Sequence, residues 1–226
     1  MTTDTTLSIH RSASRFFSGT LISRFTGMLR DMAMAFAFGT APALAAFMVA
    51  FRFAHLARRL FGEGSLQNTF IPHFEELRLS DPIRAFAFFK DLAASLLLIL
   101  AVLVSLGMGI LFLLYPLDWS SETKQILLFT SLMLPSLFFI SLYGLNAALL
   151  GCEKQFFISS IAPVAFNLVW IAAAFYLSPL PIEQAMIGLS LAVILGCLAQ
   201  WAVTVPKTVQ LLPKTKIHFF SPDVRN

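Results

Sequence analysis

Arg24, Arg30 and Arg52 are the residues best placed to do chemistry, because each interrupts a segment otherwise built from apolar and small residues. An arginine near the middle of a membrane-spanning helix costs roughly 2.5–3.5 kcal/mol, so three cost on the order of 7–10 kcal/mol, a load that marks a pathway or a ligand site. At about 1.5 Å per residue, a first helix starting near Phe16 puts Arg24 about 12 Å and Arg30 about 21 Å from the cytoplasmic side. A second helix returning to end near Phe61 puts Arg52 about 14 Å from the same side. Arg24 and Arg52 are thus expected at similar depth on adjacent antiparallel helices. Two guanidinium groups at one level repel unless an anion, water or a carboxylate lies between them.

Spacing extends the group. Arg52, His55 and Arg59 stand at i, i+3 and i+7, one helical stripe that Glu63 continues if the helix does. Arg24 and Asp31 share a face seven residues apart. Ser23, Thr26 and Gly27 are small enough for close helix approach or ligand access. A positively charged, water-filled cavity open to the cytoplasm follows, and a planar guanidinium fork suits phosphate. Structural readings stand beside this one. Arg58 and Arg59, near a helix end, reach the interface by snorkelling in any membrane protein. Arg24 can do the same, whereas Arg30 and Arg52 are too deep for it to be easy. Asp31 also reads as a counter-ion, His55 as a polar packing residue, and Asn146 and Asn167 as interhelical hydrogen-bonding residues.

No catalytic residue set is found: there is no His-Glu-x-x-His, no Gly-x-Ser-x-Gly and no P-loop, and the stretch from Gly62 to Ser65 is a poor phosphate loop by itself. No metal-ligand spacing appears, and Cys152 and Cys197 read as small apolar fillers. The expectation is a transporter with no cofactor rather than an enzyme.

The elements that must hold these residues are helices in a bilayer. Hydrophobic residues make up 58% of the 226 and charged ones 12%, against roughly 45–50% and 25% in soluble domains. So few charges cannot cover a soluble surface. The net charge of +4 comes from basic residues beside the apolar runs, which points to topology and membrane lipids rather than to nucleic acid. Charge-free runs over 92–117, 125–152, 155–182 and 184–206 are each long enough to cross the hydrocarbon core. Two weaker segments precede them, joined by a tight turn over 38–42. The reading is all-α and polytopic, with six spans over about 16–39, 43–61, 92–117, 125–151, 155–178 and 184–206 forming a lobe at 16–212. A polar N-terminus at 1–15, without a cleavable signal peptide, precedes the lobe, and an interfacial tail at 213–226 carrying Phe219 and Phe220 follows it. Pro135 and Pro163 should kink their helices, and an amphipathic stretch around 70–77 should lie along the interface. With both termini cytoplasmic, twelve basic residues fall inside and only Lys124 outside, as the positive-inside rule requires.

Three stretches carry a family likeness. The first runs from Ser23 to Asp31 and is followed by Phe38-Gly39. The second runs from Ala46 to Arg52, and the third from Leu56 to Gly64, with Phe70-Ile71-Pro72 after it. Together they closely resemble the MurJ/MviN family of lipid II flippases, within the multidrug/oligosaccharidyl-lipid/polysaccharide exporter superfamily. Weaker matches continue through Pro135, Ser141, Phe156, Ala162-Pro163, Asn167, Gln200 and Pro206. The resemblance implies a bacterial inner-membrane protein that moves lipid II, an undecaprenyl-diphosphate-linked peptidoglycan precursor, to the outer leaflet by alternating access between two lobes. It implies that Arg24, Arg30 and Arg58 line a central cavity, with Ser23, Asp31, Arg59 and Glu63 in the same motifs. Ala45, where the family commonly has an acid, and Ala54-His55, where it commonly reads Pro-Asn, depart from the pattern. Family members have about fourteen helices, so the six here correspond to the N-terminal lobe, to be completed by a second lobe. The alternatives are an exporter of other lipid-linked polysaccharides or drugs, and an inactive or partner-dependent half.

Overall fold

A computed structural model describes residues 6–61 and 65–212 and positions 218, 219 and 224, except for the side chains of residues 6–13, 15, 55, 57–61 and 65–67. The described chain is helical: α1 (Thr6–Phe38), α2 (Pro42–Phe61), α3 (Ser65–Ser80), α4 (Pro82–Leu114), α5 (Ser121–Met133), α6 (Ser136–Cys152), α7 (Phe156–Leu177) and α8 (Ile182–Leu211). Helix α4 begins ten residues before the span expected from apolar runs, and α1 is already helical at Thr6. A helix is set by its caps and not by where the bilayer starts. At α4 the Asp81 carboxylate accepts from the Ile83 and Arg84 amides at 2.9 and 3.3 Å, and Pro82 opens the helix where a missing N–H costs nothing. The expected turn between α1 and α2 is present. Gly39 adopts φ +57°, a left-handed conformation open to glycine without strain, and donates to the Ala35 carbonyl at 3.0 Å.

The prolines act in two ways. Pro135 separates α5 from α6, which meet at a 47° bend; proline offers no N–H to the preceding turn and its ring crowds the carbonyl there. Pro163 stays within α7, and α8 runs past Pro206 to Leu211.

Helices α4, α7 and α8 are each long and apolar enough to cross a membrane, and the bent pair α5–α6 makes a fourth crossing if taken as one span. Among the described residues, α1 and α2 do not meet that measure. Charge at Arg24, Arg30 and Asp31 dilutes α1, and Arg52, Arg58 and Arg59 dilute α2. The outer surface of α4 is apolar, with Leu98, Val102, Leu106, Ile110 and Phe112 exposed. Such a surface is stable against acyl chains and not against water.

Inside the bundle, Ala43, Ala46, Phe47, Ala50, Phe51 and Ala54 form the buried stripe of α2, the spacing of one helical face. They pack with Phe129, Met133, Phe166, Trp170, Met186 and Val193 from α5, α7 and α8. Asn146 donates its amide to Thr204 at 2.9 Å between α6 and α8, the interhelical bond expected of it.

The amphipathic segment is α3. Its Phe70, Phe74 and Leu77 pack against Phe88 and Phe89 of α4 and Leu145 and Leu149 of α6. Arg78 fixes the far end, donating to Glu153 at 3.0 Å, and to Glu75 and the Cys152 carbonyl at 3.4 Å. The groups are partly solvated, so Arg78→Met is expected to cost only about 0.5–1 kcal/mol. Its clearer effect is faster amide hydrogen exchange confined to α3 and the α6–α7 turn; unchanged exchange there would show that apolar packing alone holds α3.

Candidate functional site

The site is built where α1 lies along α7. Ser23, Thr26, Gly27, Arg30 and Met34 recur at helical spacing on α1, and Asn167 and Trp170, one turn apart on α7, meet them. The Asn167 amide nitrogen donates to the Ser23 carbonyl at 3.2 Å and to the Thr26 hydroxyl oxygen at 3.0 Å. Thr26 donates in turn to the Ser23 carbonyl at 2.9 Å. With its nitrogen so committed, Asn167 turns its oxygen to Arg30, accepting from Nη1 at 3.3 Å.

Arg30 is held from three directions. Its Nε and Nη2 donate to Asp31 Oδ1 at 3.0 and 2.8 Å, Asn167 takes Nη1, and the guanidinium carbon lies 5.0 Å from the centroid of the Trp170 ring. The Trp170 indole N–H is engaged with Met34 Sδ at 3.0 Å, so the ring is fixed from the same helix that carries Arg30. A planar cation over an indole face is attracted by the ring's quadrupole. The Arg30 side chain is 21% exposed and that of Asp31 69%. The ion pair therefore sits at the edge of the bundle with the arginine on its inner side. Three of the five guanidinium N–H groups are taken by these described partners. The other two have none among the described residues and are free to meet an anion.

Arg24 and Arg52 are placed differently. Arg24 faces outward among Leu21, Ile22, Phe25 and Met28, in a shallow apolar groove of about 550 Å³. Arg52 is exposed on the side of α2 away from its buried stripe. The helices that carry them pack on different neighbours, α1 on α7 and α2 chiefly on α5, rather than along each other. Neither arginine makes a hydrogen bond or ion pair with another described residue. Ser23 contributes its carbonyl, not its hydroxyl, and Asp31 is the counter-ion of Arg30. The side chains of His55, Arg58 and Arg59, and the whole of Glu63, lie outside the described residues.

Reasoning from sequence missed Trp170 as the platform under Arg30, and with it the part of Asn167 in aiming the guanidinium. The available signal was the pair Asn167 and Trp170 on one face of an apolar helix. The arrangement does no bond-making chemistry of its own. It holds one cation, oriented and partly desolvated, where an anion gains most from it.

The family model for lipid II flippase MurJ matches residues 34–226. The chain is 34% identical over 222 residues to the probable lipid II flippase MurJ of Chlamydia muridarum, covering 95% of this chain and 40% of that protein. It is 36% identical over 220 residues to the corresponding protein of Chlamydia pneumoniae, covering 94% and 39%. A solved structure of lipid II flippase MurJ in an inward closed conformation superposes with a TM-score of 0.72 at 25% identity, over 93% of this chain and 43% of that one. The chain thus spans about 40% of the length of the curated relatives it matches. The family model covers most of the residues and the curated relatives match along nearly the whole chain, and the chain belongs to the MurJ family.

Proposed function

We propose that this chain is the N-terminal lobe of a lipid II flippase in the bacterial inner membrane, working with a second lobe from the same or another chain. The observation that carries the proposal is the oriented guanidinium of Arg30, held by Asp31, Asn167 and Trp170 on a helix with little else to recommend so costly a residue. In this reading α1 and α2 cross the membrane beside α4, the bent pair α5–α6, α7 and α8. Both termini then lie in the cytoplasm, with α3 along the inner interface. The exposed face of α1 bearing Arg24 and Asp31 turns toward the second lobe, and Arg52, Arg58 and Arg59 continue the basic lining, with Ser23, His55 and Glu63 in support. The diphosphate binds the guanidinium groups while the lipid tail stays in the bilayer. Rocking of the lobes then exposes the headgroup outside, so the cycle moves cargo and makes no bond. The membrane potential acts on any charge carried across at about 2.3 kcal/mol per 100 mV.

The test is a chimaera in which these 226 residues replace the matching segment of a MurJ relative, expressed in cells depleted of their own flippase. Growth without lysis is the expected result. A chimaera that reaches the membrane in normal amount yet leaves cells lysing would rule out the lobe as a flippase component.

A further inference from the structure

At the end of the bundle where α4 closes and α5 and α8 begin lies a groove the transport reading does not use. Its volume is about 490 Å³, and its lining includes Tyr115, Trp119, Lys124, Gln125, Phe129 and Glu183. Two features show a built surface. Gln125 of α5 donates its amide to Glu183 of α8 at 3.2 Å, joining two helices across the groove and leaving donors and acceptors of both groups side by side. Trp119 gives its indole N–H to the Leu114 carbonyl at 2.8 Å, so the ring is fixed by its own loop and lines the groove without a free donor. Trp119 and Tyr115 remain 43% and 44% exposed.

The charge of the lining selects among ligands. Lys124 and Glu183 cancel, and the neighbouring Asp118 and Glu122 make the surroundings acidic, which disfavours a phosphate. What is left is two aromatic rings, an amide, one carboxylate balanced by one ammonium, and the Ser121 hydroxyl. Such a surface suits a ligand with an apolar C–H face and a rim of neutral hydroxyls. A tryptophan and a tyrosine that merely anchor a helix at the interface need neither a groove nor the Gln125–Glu183 bridge. We propose that this groove binds a pyranose saccharide. It lies on the outer side in the topology proposed above, and in that placing, as a subsite for the sugar of the cargo, the inference rests on that reading; its affinity for free sugar does not.

The full chain in nanodiscs, titrated with chitobiose, a neutral N-acetylated disaccharide, tests the proposal by saturation-transfer NMR. Transfer to the sugar ring protons is expected, with binding weakened about tenfold or more in Trp119→Ala and Gln125→Ala and largely kept in Trp119→Phe. Melting temperatures within a few degrees of the parent chain show that the variants fold. Absence of transfer to the parent chain, or equal binding by Trp119→Ala, overturns the proposal. So does displacement of the sugar by an equal concentration of glycerophosphoethanolamine, which would make the groove a phospholipid headgroup site. The readout needs no transport, so sugar binding by a chain whose chimaera fails in depleted cells sinks the flippase reading alone. Growth of the chimaera without sugar binding sinks the groove alone.

Discussion

Arg30→Ala in the chimaera is expected to abolish growth of flippase-depleted cells while leaving the lobe folded. The two effects separate because the rest of the bundle can absorb the loss of the Arg30 contacts, whereas a bound anion loses its ligand outright. Its ion pair with Asp31 has an acid that is 69% exposed, so screening holds its worth to about 1 kcal/mol or less. The stacking on Trp170 adds about 0.5–2 kcal/mol. A fall in melting temperature of a few degrees is the expected structural cost. A charge-assisted contact to a diphosphate, made in a partly desolvated place, is worth about 1.5–3 kcal/mol, or roughly ten- to 150-fold in cargo affinity.

Arg30→Lys sharpens the test. It keeps the charge but loses the fork that engages Asp31, Asn167 and an anion together, and it stacks less well on the indole. Growth restored by lysine would mean that only the charge matters, and growth with alanine would remove Arg30 from the site. Asn167→Ala should resemble Arg30→Lys rather than Arg30→Ala, since it frees the guanidinium without deleting it.

How far the sequence alone leads is visible at this site. The cost of an arginine in an apolar helix is a property of composition, so Arg30 stood out before any fold was known. The interhelical role of Asn146 and Asn167 was also legible, because an amide in a membrane helix needs a partner. The identity of that partner was not. Arg30 and Trp170 are 140 positions apart, and nothing local says that α1 lies against α7 rather than α2. The short turn at Gly39 suggested a hairpin of α1 and α2, with Arg24 and Arg52 paired across it. In the fold the buried stripe of α2 faces α5 and the core, which places Arg52 on the opposite side. Apolar runs coincide with three helices long and apolar enough to cross a membrane, and with a fourth if the bent pair α5–α6 is one span; they miss the start of α4, because the Asp81 cap acts outside the run. The count of six rests on charge asymmetry and likeness, since the residues that make α1 and α2 interesting are those that lower their hydropathy.

Gly196→Ala is expected to destabilise the lobe and, unlike a surface change, to reach the site through two aromatic rings, those of Phe166 and Trp170. A Cβ at position 196 would lie 2.6 Å from Cδ2 and 3.0 Å from Cε2 of Phe166, so the ring must move. It is buried, with its centroid 5.4 Å from that of Trp170. Trp170 in turn meets Phe51 edge-on at 4.6 Å and Phe47 at 5.9 Å. A displaced Phe166 therefore presses on the platform beneath Arg30, or forces α7 and α8 apart. Overpacking of this kind costs about 1–3 kcal/mol. The measurement is thermal unfolding in detergent, read with chimaera growth. The double variant Gly196→Ala/Phe166→Leu should recover much of the loss, because the smaller side chain makes room, giving a coupling of about 0.5–3 kcal/mol. Gly109→Ala on α4 is the control: nothing lies within 4 Å of a Cβ there, so better helix propensity should leave the protein as stable or more so. If Gly196→Ala melts like the parent and Phe166→Leu brings no recovery, the spacing of α7 and α8 is not set by this contact. The packing route from the core to Arg30 then fails with it, leaving Asn167 and Asp31 to aim the guanidinium.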